Sequence, residues 1–539
     1  MKVKSSSFDN LPFSKLFRDY TSGTGTIYHF FESERPDINA LAHRSKKLDF
    51  GGDRKKTVEL LTLFNKQFDA PPKTLEKIKM LANPNSVTIV TGQQVTLLGG
   101  PLFTIYKTLT AIHYARALEK ETGFPVVPVF WLADEDHDVE EASQITLLNR
   151  SDSVALTYKL RQYSDDPPTA ASLQLGNEFE QFRQKLSESL EETDFTEQLL
   201  EQADRFYQKE HTFGYSFGRW LLHLFSDEGL VLAGSNTPEM KQHSVSLFET
   251  AVKERKQISV TLDDATYDLI EHGYHGQVQV QSSNLFYFDD DGSRHKLQFT
   301  NETWNIPNRH WSTEELLNEI EERPARFSPN VFLRPILQDH ILPVAGYVGG
   351  PGEIAYYAQM KSLYPVFGKT MPVIIPRFSI TLFDTAIDRI IDKLPFRWTQ
   401  FSKRLDDLEK LYVQKSEKAD IEQMFSAWRS HIEEFAHAQK KEIGKIDPTL
   451  TGSVGKAKAA YLSELDKVKG KVYRSVKDQN KIQIDRIQRI RQTLFPNGNL
   501  QERELAFIFF MNKYGMQLWD RILTVLEDED PFTHKEIHL

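Results

Sequence analysis

The stretch VVPVFWLA, Val126 to Ala133, is apolar at every position. A strand with one wet face alternates apolar and polar residues. A parallel strand covered on both faces reads as an unbroken apolar run. Upstream, SVTIVT (Ser86 to Thr91) is a second short strand rich in β-branched residues. Between the two, Pro101 opens a helix through about Glu119, with Leu102, Ile105, Tyr106, Leu109, Ile112 and Ala115 at helical spacing. Strand, helix, strand is the right-handed crossover unit of a doubly wound sheet. Downstream, GLVLAG (Gly229 to Gly234) is another buried strand. Thr237 and Pro238 then cap and open a helix carrying Met240, Val245, Leu247 and Phe248. The sheet pattern returns at Val331 to Leu337 and Ala345 to Val348. A helix from Pro351 and a strand at Pro372 to Ile375 follow.

The remaining segments hang on that core. The first stretch, through about Asp69, reads as polar and helical, anchored by Phe13, Leu16 and Phe17. The core is expected over 1–150, 220–253 and 331–393. A helical, acidic insertion falls at 151–219. A β-rich insertion falls at 254–330, with an alternating strand at Gln277 to Gln281. Strands at Leu285 to Phe288 and Leu297 to Phe299 flank the turn at Asp289 to Ser293. Over 394–500, Ile421, Phe425, Trp428, Ile432 and Phe435 recur in steps of four and three. After a break at Pro448, Tyr461, Leu465, Val468, Val472 and Val476 form a second stripe. This is the seam of a helical hairpin or coiled coil, either packed on itself or pairing two subunits. Residues 501–539 are apolar enough to dock back on the core.

Composition narrows the function. The chain has 539 residues, 40% hydrophobic and 26% charged, the balance of a folded, water-soluble, multi-unit protein. A formal charge of −10 disfavours nucleic acid as a partner. The absence of cysteine excludes disulfides, thiolate metal sites and a Cys nucleophile. Met1 to Pro12 lacks an apolar signal core, and no run is long enough to span a bilayer, so a cytoplasmic location away from membranes is expected.

Several places invite chemistry. Gly99-Gly100-Pro101 and Gly349-Gly350-Pro351-Gly352 each follow a strand and open a helix. Glycine admits a ligand close to the backbone, and a helix start offers N–H groups to an anion; a plain tight turn is the alternative. Lys107 can reach back to such an anion, although a lone helical lysine is commonly solvated. Asp134-Glu135-Asp136-His137-Asp138 ends the buried strand. Crowded carboxylates raise one another's pKa and suit acid–base or metal chemistry; the plainer reading is an acidic surface loop. Gly92, Gln93 and Gln94 end the first strand with amides suited to a polar small molecule. Arg334, Glu353, Tyr356 and Arg377, with Gln338, Asp339 and His340, sit near other strand ends or helix starts. Arginine there can clamp a carboxylate or phosphate, and singly each can equally be a structural ion pair.

Taken together, several stretches resemble the bacillithiol-synthesis cysteine-adding enzymes across essentially the whole chain. They are Thr91 to Gln94, Gly100 to Lys107, Trp131 to Ala133 with Glu135 to Asp138, Arg334-Pro335, Leu342-Pro343, Gly349 to Glu353, Pro376-Arg377, and Phe495 to Gly498 with Gln501 to Arg503. The resemblance implies a Rossmann-like core like that of class I aminoacyl-tRNA synthetases, with connecting-peptide insertions and a coiled coil that forms a homodimer. It implies a ligase that adds L-cysteine to the amino group of glucosaminyl malate. ATP or another nucleotide, with Mg²⁺ alongside it, would activate the carboxylate. The His-rich synthetase signature and a Lys-Ser-Lys loop are absent, and Thr96 stands where the family is expected to have glycine.

On this reading Lys107, Arg377 and the two glycine-proline corners take anions. His137, with Asp136 or Glu135, deprotonates the glucosamine nitrogen, and no protein-held metal is required. Asn497, Gly498 and Arg503 are expected at a second pocket. A hydrolase using a metal at Asp134 to Asp138, and a non-catalytic scaffold built on the hairpin, are the competing readings.

Overall fold

The computed structural model describes all residues except 134, 136–141, 150–152, 159–168, 170–171 and 417–419. They fall into two units: Met1–Thr381 with Gln501–Ile537, and Leu382–Leu500 with His538–Leu539.

The first unit is built on a five-stranded sheet. Its strands are β1 (Val87–Gln94), β2 (Val126–Ala133), β3 (Val231–Ala233), β4 (Val344–Gly349) and β5 (Val373–Pro376). The order is β5-β4-β1-β2-β3, parallel throughout. β1 and β2 stay in register from Val87–Val126 to Gln94–Ala133. The chain steps outward from β1 to β2 and β3, then returns to β4 on the other flank. That reversal opens a crevice at the carboxyl ends of β1 and β4, where ligands of such sheets bind. Helix α1 (Leu102–Thr122) crosses from β1 to β2. It is buried on nearly every side, polar Thr104, Lys107, Thr108 and Thr110 included. It ends at Gly123, whose φ of 70° lets its N–H reach the Glu119 carbonyl.

Several expectations need correction. Val331 to Leu337 is not a strand; helix α2 (Leu333–Ile341) starts there. Pro335 lies in its first turn, where a missing N–H breaks no helical bond. The Asn330 side chain accepts from the N–H groups of Phe332 and Leu333. Gln277 to Gln281 is not a strand either. The Gln359 amide pairs with Val278 N–H and C=O at 3.0 Å each, standing in for a neighbouring strand. The strand opposite Leu285–Phe288 is Arg294–Lys296, and Gln298–Thr300 belongs to the next sheet. The insertion expected to be β-rich opens with a helix, Arg255–Glu271. The helix expected around Met240 to Phe248 breaks at Ser244 into Pro238–His243 and Val245–Lys253. Polar strands at both ends of the chain, Lys2–Ser6 and His534–His538, also pair.

The second unit is helical. Helices α3 (Ile421–Ile446) and α4 (Thr451–Gln479) form the hairpin, turning at Pro448–Leu450. Val413, Ile421, Phe425, Leu465 and Val476 pack at its base. Farther along the seam, Trp428, Phe435 and Tyr461 are more than half exposed. No helix among the described residues is long and apolar enough to cross a membrane.

The first unit carries an acid sensitivity. Burial is the main cause that lowers His113, His340 and His534 to about 4. The unfolded chain takes up these protons near pH 6.5, so stability is full above that pH and falls as pH drops toward 4. Asp339, raised by burial to about 7, opposes the three. The melting temperature is therefore expected to fall by several degrees between pH 7 and 5; a flat profile would contradict these burials.

Candidate active site

At the crevice between β1 and β4, Lys107 lies buried on α1. Its ammonium donates to the Gly92 carbonyl at 2.8 Å and the Gln93 side-chain oxygen at 2.9 Å, and pairs with the Glu353 carboxylate. Its three protons are thus committed. Glu353 also accepts from Tyr347 OH at 2.6 Å and from the Gly350 N–H at 2.8 Å. Burial opposes ionisation of Glu353, yet Lys107 and these donors outweigh it and hold its carboxyl below the usual range. Burial lowers the Lys107 pKa, with Glu353 pulling the other way.

The two glycine-proline corners differ. A Cβ built on Gly350 would lie 3.6 Å from Arg377 Nε and 3.9 Å from Lys107 Cε, so this corner faces both cations. The Gly99-Gly100 corner is closed by the chain itself. A Cβ on Gly99 would strike the Phe507 ring at 1.8 Å, and the Leu102 N–H donates to the Leu505 carbonyl at 2.9 Å. Of the corners expected to gather anions together, only Gly349-Gly350 sits beside Lys107. Pro101, Gly99 and Gly100 hold the C-terminal segment. Arg377 is committed as well. It forks onto Glu502 at 2.9 and 2.7 Å, both side chains buried, and its own N–H donates to the Gly349 carbonyl. Lys107 and Arg377 therefore do not fit as ligands for a nucleotide's phosphates in this arrangement.

A separate cavity of about 440 Å³ opens at the carboxyl ends of β2 and β3. Trp131, Ala133, Glu135 and Ser235 form its sheet-side wall. Arg294 and Lys296, alternating along one strand, and Arg334 of α2 bring three cations to it. Arg334 donates to Tyr356 OH at 2.7 Å, and a Cβ on Gly92 would lie 3.6 Å from its guanidinium. Arg294 is fixed over the Phe286 ring and donates to Ser328 Oγ at 3.0 Å. Burial lowers the Lys296 pKa, so an anionic partner would stabilise its charge. Among the described residues, neither Lys296 nor Arg334 forms an ion pair.

Glu135 anchors the start of the acidic run. Its carboxylate accepts from Ser235 Oγ at 2.6 Å and pairs with buried Lys241, which also donates to the Phe327 carbonyl. A carboxylate so engaged is a firm anchor. Asp134, Asp136, His137 and Asp138 lie outside the described residues. Among the described residues, no group of three or more His, Asp or Glu could hold a metal ion. Asn497 (φ 53°) and Gly498 (φ 86°) turn the chain in the helical unit, while Arg503 is exposed in the sheet unit.

Sequence reading missed Lys241, Ser235, Arg294 and Lys296. The last two left a signal, basic residues two apart beside a hairpin turn, which places both on one face of a strand. Lys241 left none, since only the fold brings it to Glu135.

Residues 1–378 match the family model described as the bacillithiol biosynthesis BshC N-terminal Rossmann-like domain; residues 380–539 match the BshC C-terminal coiled-coil domain. Similar proteins named "Putative cysteine ligase BshC" occur in Salinibacter ruber, 33% identical over 96% of this chain and 95% of that one, and in Chlorobaculum tepidum, 32% identical over 98% and 97%. A third, from Geobacillus kaustophilus, is 29% identical over 95% and 96%. Matched along nearly its whole length, with the parallel sheet and helical hairpin those descriptions require, the chain belongs to the BshC family of bacillithiol biosynthesis.

Proposed function

We propose that this protein is a cysteine ligase, joining the carboxyl of L-cysteine to the amine of glucosaminyl malate. The observation that carries the reading is the cavity of about 440 Å³ in which Lys296, Arg334 and Arg294 face the wall holding Glu135. Its size is that of a small-molecule site, and its cations suit the two malyl carboxylates. The relatives' printed name supports cysteine as the other substrate.

The chemistry follows from what the acceptor needs. A carboxylate and an ammonium do not condense at neutral pH. The carboxyl must first carry a leaving group, which a nucleotide supplies when bound. The acceptor nitrogen must be held in line and deprotonated. Lys296 and Arg334 orient the acceptor through its carboxylates. His137, with Asp136 or Glu135 assisting, takes the nitrogen's proton as the N–C bond forms and the bond to the leaving group breaks. Glu135, pinned by Lys241 and Ser235, fixes where that acid–imidazole run begins.

Lys296→Met tests the cavity. One charge-assisted contact contributes about 1.5–3 kcal/mol, so KM for glucosaminyl malate is expected to rise roughly 10- to 100-fold, with kcat and the KM for cysteine nearly unchanged. An unchanged KM would place the acceptor elsewhere.

A further inference from the structure

A second cavity, about 380 Å³, lies at the opposite, amino end of the sheet, where Leu342 and Val344 lead into β4. It is lined by Arg44, Lys47, Asp49, Asp339, His340 and Lys369, among others. Nothing in the proposed ligase chemistry uses it. Two of its buried polar atoms lack a partner among the described residues: Arg44 Nε, a donor, and Asp339 Oδ1, an acceptor. Asp339 is only 7% exposed. Its cationic neighbours direct their hydrogen bonds elsewhere. Arg44 donates its other nitrogen to the Thr370 carbonyl at 2.7 Å, and Lys369 donates to the Asp339 backbone carbonyl at 3.0 Å rather than to the carboxylate. His340 is turned toward the His243 carbonyl at 3.2 Å.

An orphaned buried donor or acceptor is unfavourable, so a pair of opposite kind on one cavity wall calls for a guest that satisfies both. The guest must present an acceptor to Arg44 and a donor to Asp339. Three cations against two carboxylates favour an overall anionic or zwitterionic molecule. We propose that this cavity binds a small carboxylic acid bearing a hydrogen-bond donor on the adjacent carbon, an α-hydroxy or α-amino acid. Its carboxylate lies on Arg44 and Lys369, and its hydroxyl or ammonium lies on Asp339. Burial raises Asp339 to about 7, outweighing Lys369, Arg44 and Gln338, which favour its ionised form. Because it faces away from the carboxyl ends of the strands, the site is separate from the ligase cavity, and occupancy here does not require that the ligase reading hold.

Three molecules of one size separate the outcomes: L-lactate, L-alanine and propionate, the last lacking the α-donor. Binding to the full chain is followed by saturation-transfer NMR with competition. Lactate, alanine or both are expected to bind saturably, and propionate at least tenfold more weakly. Arg44→Gln and Asp339→Asn are each expected to weaken the bound acid at least tenfold, while Lys296→Met leaves it unchanged. Asp339→Asn removes a buried carboxyl whose Oδ1 has no partner, so its melting temperature should equal or exceed the parent's, whereas Arg44→Gln loses the bond to the Thr370 carbonyl and should melt slightly lower. Should either fail to fold, Lys47→Glu at the exposed rim is expected to weaken binding at least threefold. Binding by none of the three, equal binding of propionate, or binding indifferent to residues 44, 339 and 47 overturns the proposal. Lactate without alanine, or the reverse, assigns the donor.

Discussion

His137→Ala is expected to fold like the parent and to lose amide formation by about 10²- to 10⁴-fold, the range set by removal of a general base. The expectation rests on position. Two residues earlier, Glu135 is pinned in the wall of the cavity by Ser235 and Lys241. Among His137 and its acidic neighbours only an imidazole has an ordinary pKa near neutrality. Loss of kcat with an unchanged KM for glucosaminyl malate marks a base acting in the transition state. Raising the pH should recover part of the lost rate, because the acceptor amine then deprotonates in solution. Full turnover in the variant would remove His137 from the mechanism, and a collapsed melting curve would make it structural.

Lys107→Met is expected to destabilise the protein by about 3–5 kcal/mol, because the buried carboxylate of Glu353 would remain without its cation. The side chains are 4% and 18% exposed, so solvent cannot replace the lost partner. The double variant Lys107→Met, Glu353→Gln should recover much of the loss, since the glutamine amide carries no charge to strand. Its activity then separates two roles. If the recovered double variant turns over normally, Lys107 serves the sheet's crevice as a structural tie. If it folds and is inactive, the ammonium also acts on a ligand. A single variant as stable as the parent would contradict the buried pair itself.

How much of this was legible in the sequence depended on whether a local pattern had one physical cause. Val126–Ala133 was legible from end to end, because only a strand covered on both faces needs eight apolar residues in succession. The hairpin was legible because its seam repeats. Val331 to Leu337 misled, since an apolar run containing proline reads as extended, while the cap from Asn330 that makes it a helix lies one residue before the run. Gln277 to Gln281 misled because its alternation is satisfied by one glutamine side chain far along the sequence. At the site, Glu135 was legible at the end of β2, whereas its partner Lys241 was not. Arg377 was legible as a functional-looking cation, yet the partner that claims it, Glu502, lies 125 residues away and comes close only on folding. Charges invite chemical readings one at a time; their pairing is a property of the fold.

The most direct test combines purified protein, glucosaminyl malate, L-cysteine and each nucleoside triphosphate in turn, with the product read by mass. The account predicts the amide with the parent protein, and with Lys296→Met the same amide only when glucosaminyl malate is raised roughly 10- to 100-fold. Amide formed by the variant at the parent's substrate concentrations, or no amide from the parent with any nucleotide, would contradict it.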